Sequence, residues 1–168
     1  TTTEDQRCAL FNSSDGTTDY VAEYDATNKR LTFKKNDADV SDISSNIVFV
    51  GNYNNVAEIR KALGNVTIKE IVFDKSFNTY APTSLNSFFK NLSSLETITG
   101  LEYLNTENVT DMSSMFHSCR KLTDLDISNL NTANVTDMSY MFHKCENLTE
   151  LNLSNLNTAN VTDMSSMF

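Results

Sequence analysis

Three aspartates (Asp111, Asp137, Asp163), two histidines (His117, His143) and two cysteines (Cys119, Cys145) recur at a spacing of 26 residues. They are the side chains of this sequence with the most capacity for chemistry, and the spacing limits what they can do. Equivalent residues of successive repeats stack in columns and do not converge on one centre. A column of aspartates suggests a calcium ladder. Calcium, however, takes about six to eight oxygens, and the neighbouring Thr and Ser are poor ligands. Each aspartate also directly precedes an M-x-x-M-F run, where a carboxylate capping a helix N-terminus is the simpler role. The histidines read as surface or ladder residues in preference to metal ligands. On a helical leg, neighbouring copies lie about 8–10 Å apart, beyond the roughly 7 Å reach of a disulfide, so both cysteines read as buried thiols. No nucleophile, base and orienting group converge anywhere. The expectation is no catalytic residue, no metal site and no cofactor: not an enzyme.

The elements that carry these columns follow from the repeat itself. NVTDMSSMF at Asn108–Phe116 returns letter for letter at Asn160–Phe168, with NVTDMSYMF at Asn134–Phe142 between them. The units Asn108–Ala133 and Asn134–Ala159 share 19 of 26 positions. In the first, Met112, Met115, Phe116 and Cys119 are spaced as one face of a short helix. Leu122, Leu125, Ile127 and Leu130 then follow L-x-x-L-x-L-x-x-L, the strand-and-turn segment of leucine-rich repeats. Weaker versions begin at Ile68-x-x-Ile71-x-Phe73 and Leu95-x-x-Ile98, so the array is expected to start near Val66 with two degenerate units. Before it, Tyr20–Tyr24 and Leu31–Phe33 alternate around a turn and predict a β-hairpin. Lys34–Asn46 reads as a loop, Ile47–Val50 as a buried strand, and Val56, Ile59 and Leu63 as one face of a helix capped by Asn54 or Asn55 and closed by Gly64. The predicted fold class is an α/β solenoid, leucine-rich-repeat-like. It has a parallel strand ladder on the concave face, short helices on the convex face and an N-terminal β-hairpin/helix cap. Residues 1–65 form the cap and 66–168 the repeats.

Composition narrows the partners. A net charge of −9 and a pI near 4.6 argue against nucleic acid and anionic membrane surfaces and leave a basic partner open. No run approaches the roughly 20 apolar residues of a membrane helix, and no signal peptide is visible. Cys8 follows Asp5-Gln6-Arg7, unlike the small apolar run before a lipid-modified cysteine. The start Thr-Thr-Thr, without Met, reads as processed or recloned. Asn-x-Ser/Thr triplets at Asn12, Asn65, Asn91, Asn108, Asn134, Asn147, Asn152 and Asn160 arise from repeat composition. They would be glycan acceptors in a eukaryotic protein but not by default in a bacterial one.

NVTDMSSMFHSCRKLTDLDISNLNTA resembles the 26-residue repeat of bacterial surface proteins grouped with the BspA-like proteins, relatives of leucine-rich repeats. The resemblance is strong over Asn108–Phe168 and weak over Val66–Glu107. It implies a secreted or cell-surface attached bacterial protein that adheres to host proteins, extracellular matrix or other cells, and it carries over no catalytic residue.

The two regular units differ at seven positions, six of them on faces expected to be exposed. The residues between the core leucines are expected on the concave face: Thr123, Asp124, Asp126 and Ser128, then Thr149, Glu150, Asn152 and Ser154. This polar, acidic strip is the candidate partner-binding surface, for a protein or matrix ligand, although it lacks the Trp, Tyr and Arg of strong hot spots. The alternatives are a structural spacer and a recognition domain appended to a larger surface protein or hydrolase. The sequence stops partway through a unit and reads as a piece of a longer array. Met164, Met167 and Phe168 are therefore expected at an end that is frayed or covered by another molecule, with end-to-end contact as one route.

Overall fold

The computed structural model describes residues 6–12, 18–35, 47–50 and 53–168, and the fold is built outward from a short hairpin. β2 (Thr18–Asp25) and β3 (Arg30–Lys35) pair antiparallel, with Tyr24 opposite Leu31 and Ala22 opposite Phe33. Asp25 closes the turn, its Oδ1 accepting the N–H groups of Thr27 and Asn28 at 2.9 and 3.0 Å. The predicted hairpin is thus present, and alternation decides its buried face: Ala22, Tyr24, Leu31 and Phe33 are all core. On one side β1 (Gln6–Asn12) pairs antiparallel with β2, and β4 (Ile47–Val50) runs parallel to β1. On the other side β5 (Glu70–Phe73) runs parallel to β3, and β6 (Thr97–Thr99) parallel to β5. The sheet order is β4-β1-β2-β3-β5-β6. The predicted strand at 47–50 is β4, whereas β1 has no clear periodicity to announce it. The loop expected over 34–46 gives way to strand as far as Lys35, and its remainder lies outside the described residues.

Helix α1 (Val56–Ala62) meets the repeats at its start, where the Val56 N–H donates to the Phe88 carbonyl at 2.8 Å. Asn55 Oδ1 accepts the Glu58 N–H at 2.9 Å, satisfying an orphan donor of the first turn, while Glu58 Oε2 accepts the N–H of Asn54, just before the cap, at 3.0 Å. Val56, Ile59 and Leu63 face inward, and Gly64 ends the helix at φ +85°.

The repeats do not form the predicted α/β solenoid of short helices and a parallel strand ladder. α1 is the only α-helix among the described residues, and regular strands stop at β6. The expected helical leg Met112–Cys119 is a run of tight turns. The Met115 N–H donates to the Met112 carbonyl at 3.3 Å, His117 to Ser114 at 3.1 Å and Cys119 to Phe116 at 3.1 Å. Ser114 and Ser118 sit in the left-handed region at φ +56° and +62°, as do Tyr140 and Lys144 one unit on. No α-helix admits such residues. The N–H groups of Met112, Ser114, Phe116 and Ser118 go to the carbonyls of Asp137, Ser139, Met141 and His143, at 2.8–3.0 Å, and are unavailable for internal helical bonds. Apolar steps of three and four suit such a run of turns as well as they suit a helix, which is why the pattern misleads.

The strand ladder fails for a related reason. Among the described residues, the backbone of Leu122–Ile127 makes no hydrogen bond to a neighbouring unit. Asp126 Oδ1 takes the Ser128 N–H at 2.9 Å and Asn152 Oδ1 the Ser154 N–H at 3.0 Å, local bonds that compete with a ladder. In-register pairing would also set Asp124 directly against Glu150, a like-charge pair. Within the repeats, regular strands appear only at Ile71 and Ile98, in the degenerate units, where β5 pairs with β3 and β6 with β5.

What joins the units is therefore turn backbone and polar side chains. Bridges run Ser84–Asp111–Asp137–Asp163. The buried hydroxyl of Thr106 accepts the Asn131 N–H at 2.7 Å, and that of Thr132 accepts the Asn157 N–H at 2.8 Å. Asn134 and Asn160 each donate a side-chain N–H to a carbonyl of the preceding unit, Glu107 at 2.9 Å and Ala133 at 2.7 Å. Inside, a column of rings extends from Phe33 against Phe73 to Phe89, Phe116 and Phe142, within one core cluster that spans sheet and repeats.

The left-handed serines make a direct prediction. Ser118→Val places a β-branched residue at φ +62° and is expected to lower stability by about 1–2 kcal/mol, whereas Ser118→Gly stays within about 0.5 kcal/mol of the parent. Urea unfolding of the pair separates backbone strain from loss of the hydroxyl.

Candidate interaction surface

All eight residues of the sequence-derived strip (Thr123, Asp124, Asp126, Ser128, Thr149, Glu150, Asn152 and Ser154) are exposed. They flank Leu122, Leu125 and Ile127, which are at most 5% exposed and anchor the first half of the strip. The strip lies on irregular extended chain, not on strands. Asp126 is committed to the turn: bonds from the Ser128 side chain and backbone hold its carboxyl below the usual carboxylate range. Asn152 makes the same turn, so the exchange of Asp for Asn between units keeps the acceptor and discards the charge. Among the described residues, Asp124 and Glu150 make no hydrogen bond or ion pair and carry the remaining charge of the strip.

The aspartate column acts within its own turns. Asp111 Oδ1 accepts the Ser113 N–H at 2.8 Å and hydroxyl at 2.5 Å, and Asp137 Oδ1 does the same with Ser139 at 2.8 and 2.7 Å. Asp163 accepts the Ser165 N–H at 2.8 Å, and that backbone bond is the first cause of its lowered pKa. These are caps of turns, not of helices. Among the described residues no group of three or more His, Cys, Asp or Glu is placed to hold a metal ion.

His117 and His143 meet edge to face at 5.2 Å between ring centroids, and Tyr140 joins them at 6.2 and 5.5 Å. Burial lowers the His117 pKa, assisted by the positive charges of Lys90 and Lys144 and by His143. His143 Nδ1 lies 3.2 Å from the Phe168 carbonyl. Among the described residues, neither ring pairs with a carboxylate.

Cys119 and Cys145 are free thiols, but the reason offered by helical spacing does not hold, because adjacent turns are hydrogen-bonded backbone to backbone. Each sulfur instead donates to a carbonyl of the preceding unit: Cys119 to Phe89 and Cys145 to Phe116, both at 3.1 Å. Burial pushes the Cys145 thiol up to about 11 and the Cys119 thiol higher still. A raised folded-state pKa favours the protonated form, so its stabilisation is complete below the ordinary thiol pKa and is lost as pH rises toward 11. At pH 8, Cys119 and Cys145 are expected to resist a thiol-specific chromogenic disulfide in the native chain and to react fully in urea. Rapid native labelling of either would contradict this.

The geometry of the repeats coincides with a sequence family. The model of the family described as "Mycoplasma protein of unknown function, DUF285" matches residues 83–168, just over half of the chain. The chain belongs to this family. The DUF285 match begins at Thr83, whose carbonyl accepts the Thr110 N–H at 3.0 Å, and spans every unit joined by the turn-to-turn bonds. The sheet strands β1–β5 and α1 lie before it. No curated protein and no solved structure matches the chain. Among the described residues, no helix is long and apolar enough to cross a membrane.

Proposed function

We propose that this DUF285 chain is a non-catalytic, adhesin-type interaction module of a secreted or cell-surface attached bacterial protein. In this reading its repeats are akin to those of BspA-like proteins, and its ligand is a host, neighbouring-cell or matrix protein. The observation that carries the proposal is the strip itself. Equivalent polar residues of two units are exposed, and in the first they alternate with the buried row Leu122, Leu125 and Ile127. Such a surface can vary while the scaffold stays fixed. Its unengaged charges, Asp124 and Glu150, are both acidic and select a ligand with basic groups.

The test is the double charge reversal D124K/E150K, assayed against immobilised matrix proteins and cells at two salt concentrations. Both side chains are exposed, so folding is expected to be unchanged. Binding by the variant is expected to be tenfold or more weaker than by the parent chain, roughly 1.4 kcal/mol, with a smaller salt dependence. Equal binding by parent and variant would remove the strip from the account. A spacer role is the second reading, and it is favoured by the use of Asp126 and Asn152 to hold turns. It predicts no binding by the parent to any surface tested.

A further inference from the structure

The His117–His143 pair belongs to a column that runs through three units. Lys90, His117 and His143 each follow the stacked phenylalanine of their unit, Phe89, Phe116 and Phe142, whose rings lie 5.1 and 5.5 Å apart. On either side of the column each turn has a left-handed residue, at φ between +56° and +64°. These are Ser87 and Asn91 in the first unit, and Ser114 and Ser118 in the second. The third has Tyr140, 41% exposed, and Lys144, also exposed. The sign of this patch is opposite to that of the chain. The net charge is −9, yet what acts on His117 besides burial is the positive charge of Lys90, His143 and Lys144. Among the described residues neither lysine pairs with a carboxylate, and Glu146, the acid nearest to Lys144 in sequence, is held by Arg120 at 3.6 Å. His117 Nδ1 is buried and has no hydrogen-bond partner there. The amides beside the patch are spent: those of Asn91 and Ser118 go to the His117 and His143 carbonyls at 2.9 and 2.8 Å, and those of His117 and His143 close their own turns. A peptide adding as a strand would find no row of free amides, so recognition rests on charges and rings.

We infer that this column is a binding site for an acidic glycan, a chain of sugars bearing carboxylate or sulfate groups. Lys90 and Lys144 pair with its anions, the two imidazoles supply N–H donors, and Tyr140 packs on a sugar ring. The imidazoles are 5.2 Å apart, close to the length of one sugar in an extended chain, so each unit meets one sugar. Each such sugar presents an anion beside an apolar C–H face, which matches a cation beside an aromatic face. The site is separate from Asp124 and Glu150, whose sign would repel the same ligand.

The experiment titrates heparin oligosaccharides, which are sulfated and carboxylated, into the full chain by calorimetry, with neutral dextran and polyglutamate as comparisons. The parent is expected to bind heparin, to ignore dextran and to bind polyglutamate at least about tenfold more weakly. The double variant Lys90→Gln/Lys144→Asn is expected to bind heparin roughly tenfold or more weakly, and Tyr140→Ser about fivefold. Asn and Ser already occupy the same turn positions at Asn91 and Ser114, with the same left-handed backbone, so both variants are expected to keep the parent's circular dichroism and unfolding midpoint. No heparin binding by the parent would overturn the inference, and so would equal affinity in the folded lysine variant. A loss with the lysines but none with Tyr140→Ser would reduce the patch to unspecific charge attraction and overturn it as well. Equal affinity for polyglutamate would reject a glycan in favour of an acidic peptide.

Discussion

Phe116→Ala is expected to cost about 3–5 kcal/mol, whereas Phe168→Ala, the same letter in the same nonamer, is expected to cost less than about 1 kcal/mol. Phe116 is fully buried, stacked on Phe89 at 5.1 Å and on Phe142 at 5.5 Å between centroids. Its removal leaves a cavity in the middle of the ring column, walled by hydrogen-bonded turns that cannot close over it. Phe168 touches the column on one side only, at 5.8 Å from Phe142, and is 65% exposed. Against a typical domain stability of about 5–15 kcal/mol, the first loss is a large fraction of the total. Urea unfolding followed by far-ultraviolet circular dichroism measures both. Similar losses for the two variants would mean that the end unit is as well packed as the middle.

Gly100→Ala is expected to destabilise by about 3 kcal/mol or more, and Gly64→Ala by only about 1 kcal/mol. Both glycines are left-handed, at φ +74° and +85°. The backbone penalty is therefore common to the two. They differ in their surroundings. A Cβ on Gly100 would collide with the Phe73 carbonyl oxygen, a backbone atom of β5; on Gly64 it would meet nothing within 4 Å. Gly100 turns the chain from β6 into the short 3-10 turn Leu101–Tyr103, so alanine there forces β5 and β6 apart at their ends. The same unfolding experiment decides it, and equal midpoints for the two variants would refute the steric account.

Both pairs turn on the difference between which side chains face inward and how the backbone is arranged to put them there. Buried positions are legible in the sequence: Val109, Met112, Met115, Phe116, Cys119, Leu122, Leu125 and Ile127 are all core, because apolar spacing reports which side chains turn inward. The hairpin and α1 are legible for the same reason, aided by Asp25, Asn55 and Gly64. Backbone conformation in the repeats is not. A helix and a run of tight turns both return a side chain inward every three or four residues, and what separates them is where the amides go. The acidic strip is on the surface as expected but not on strands, since Asp126 and Asn152 bind their own backbone. The role of Thr106 and Thr132 as buried links between units escapes the sequence reading; their recurrence 26 residues apart beside polar neighbours is the available signal.

By itself the sequence determined the period, the family to which residues 83–168 belong, the inward-facing side chains and the acidic sign of the surface. Each of these depends on residue type and spacing, which the chain carries wherever it goes. Only the tertiary structure decided that the Met-rich leg is turns and that regular strands end at β6. The physical reason is that a backbone amide chooses between a partner four residues away and one in the neighbouring unit. That choice is made by the stacked units together and not by the residues of one unit alone.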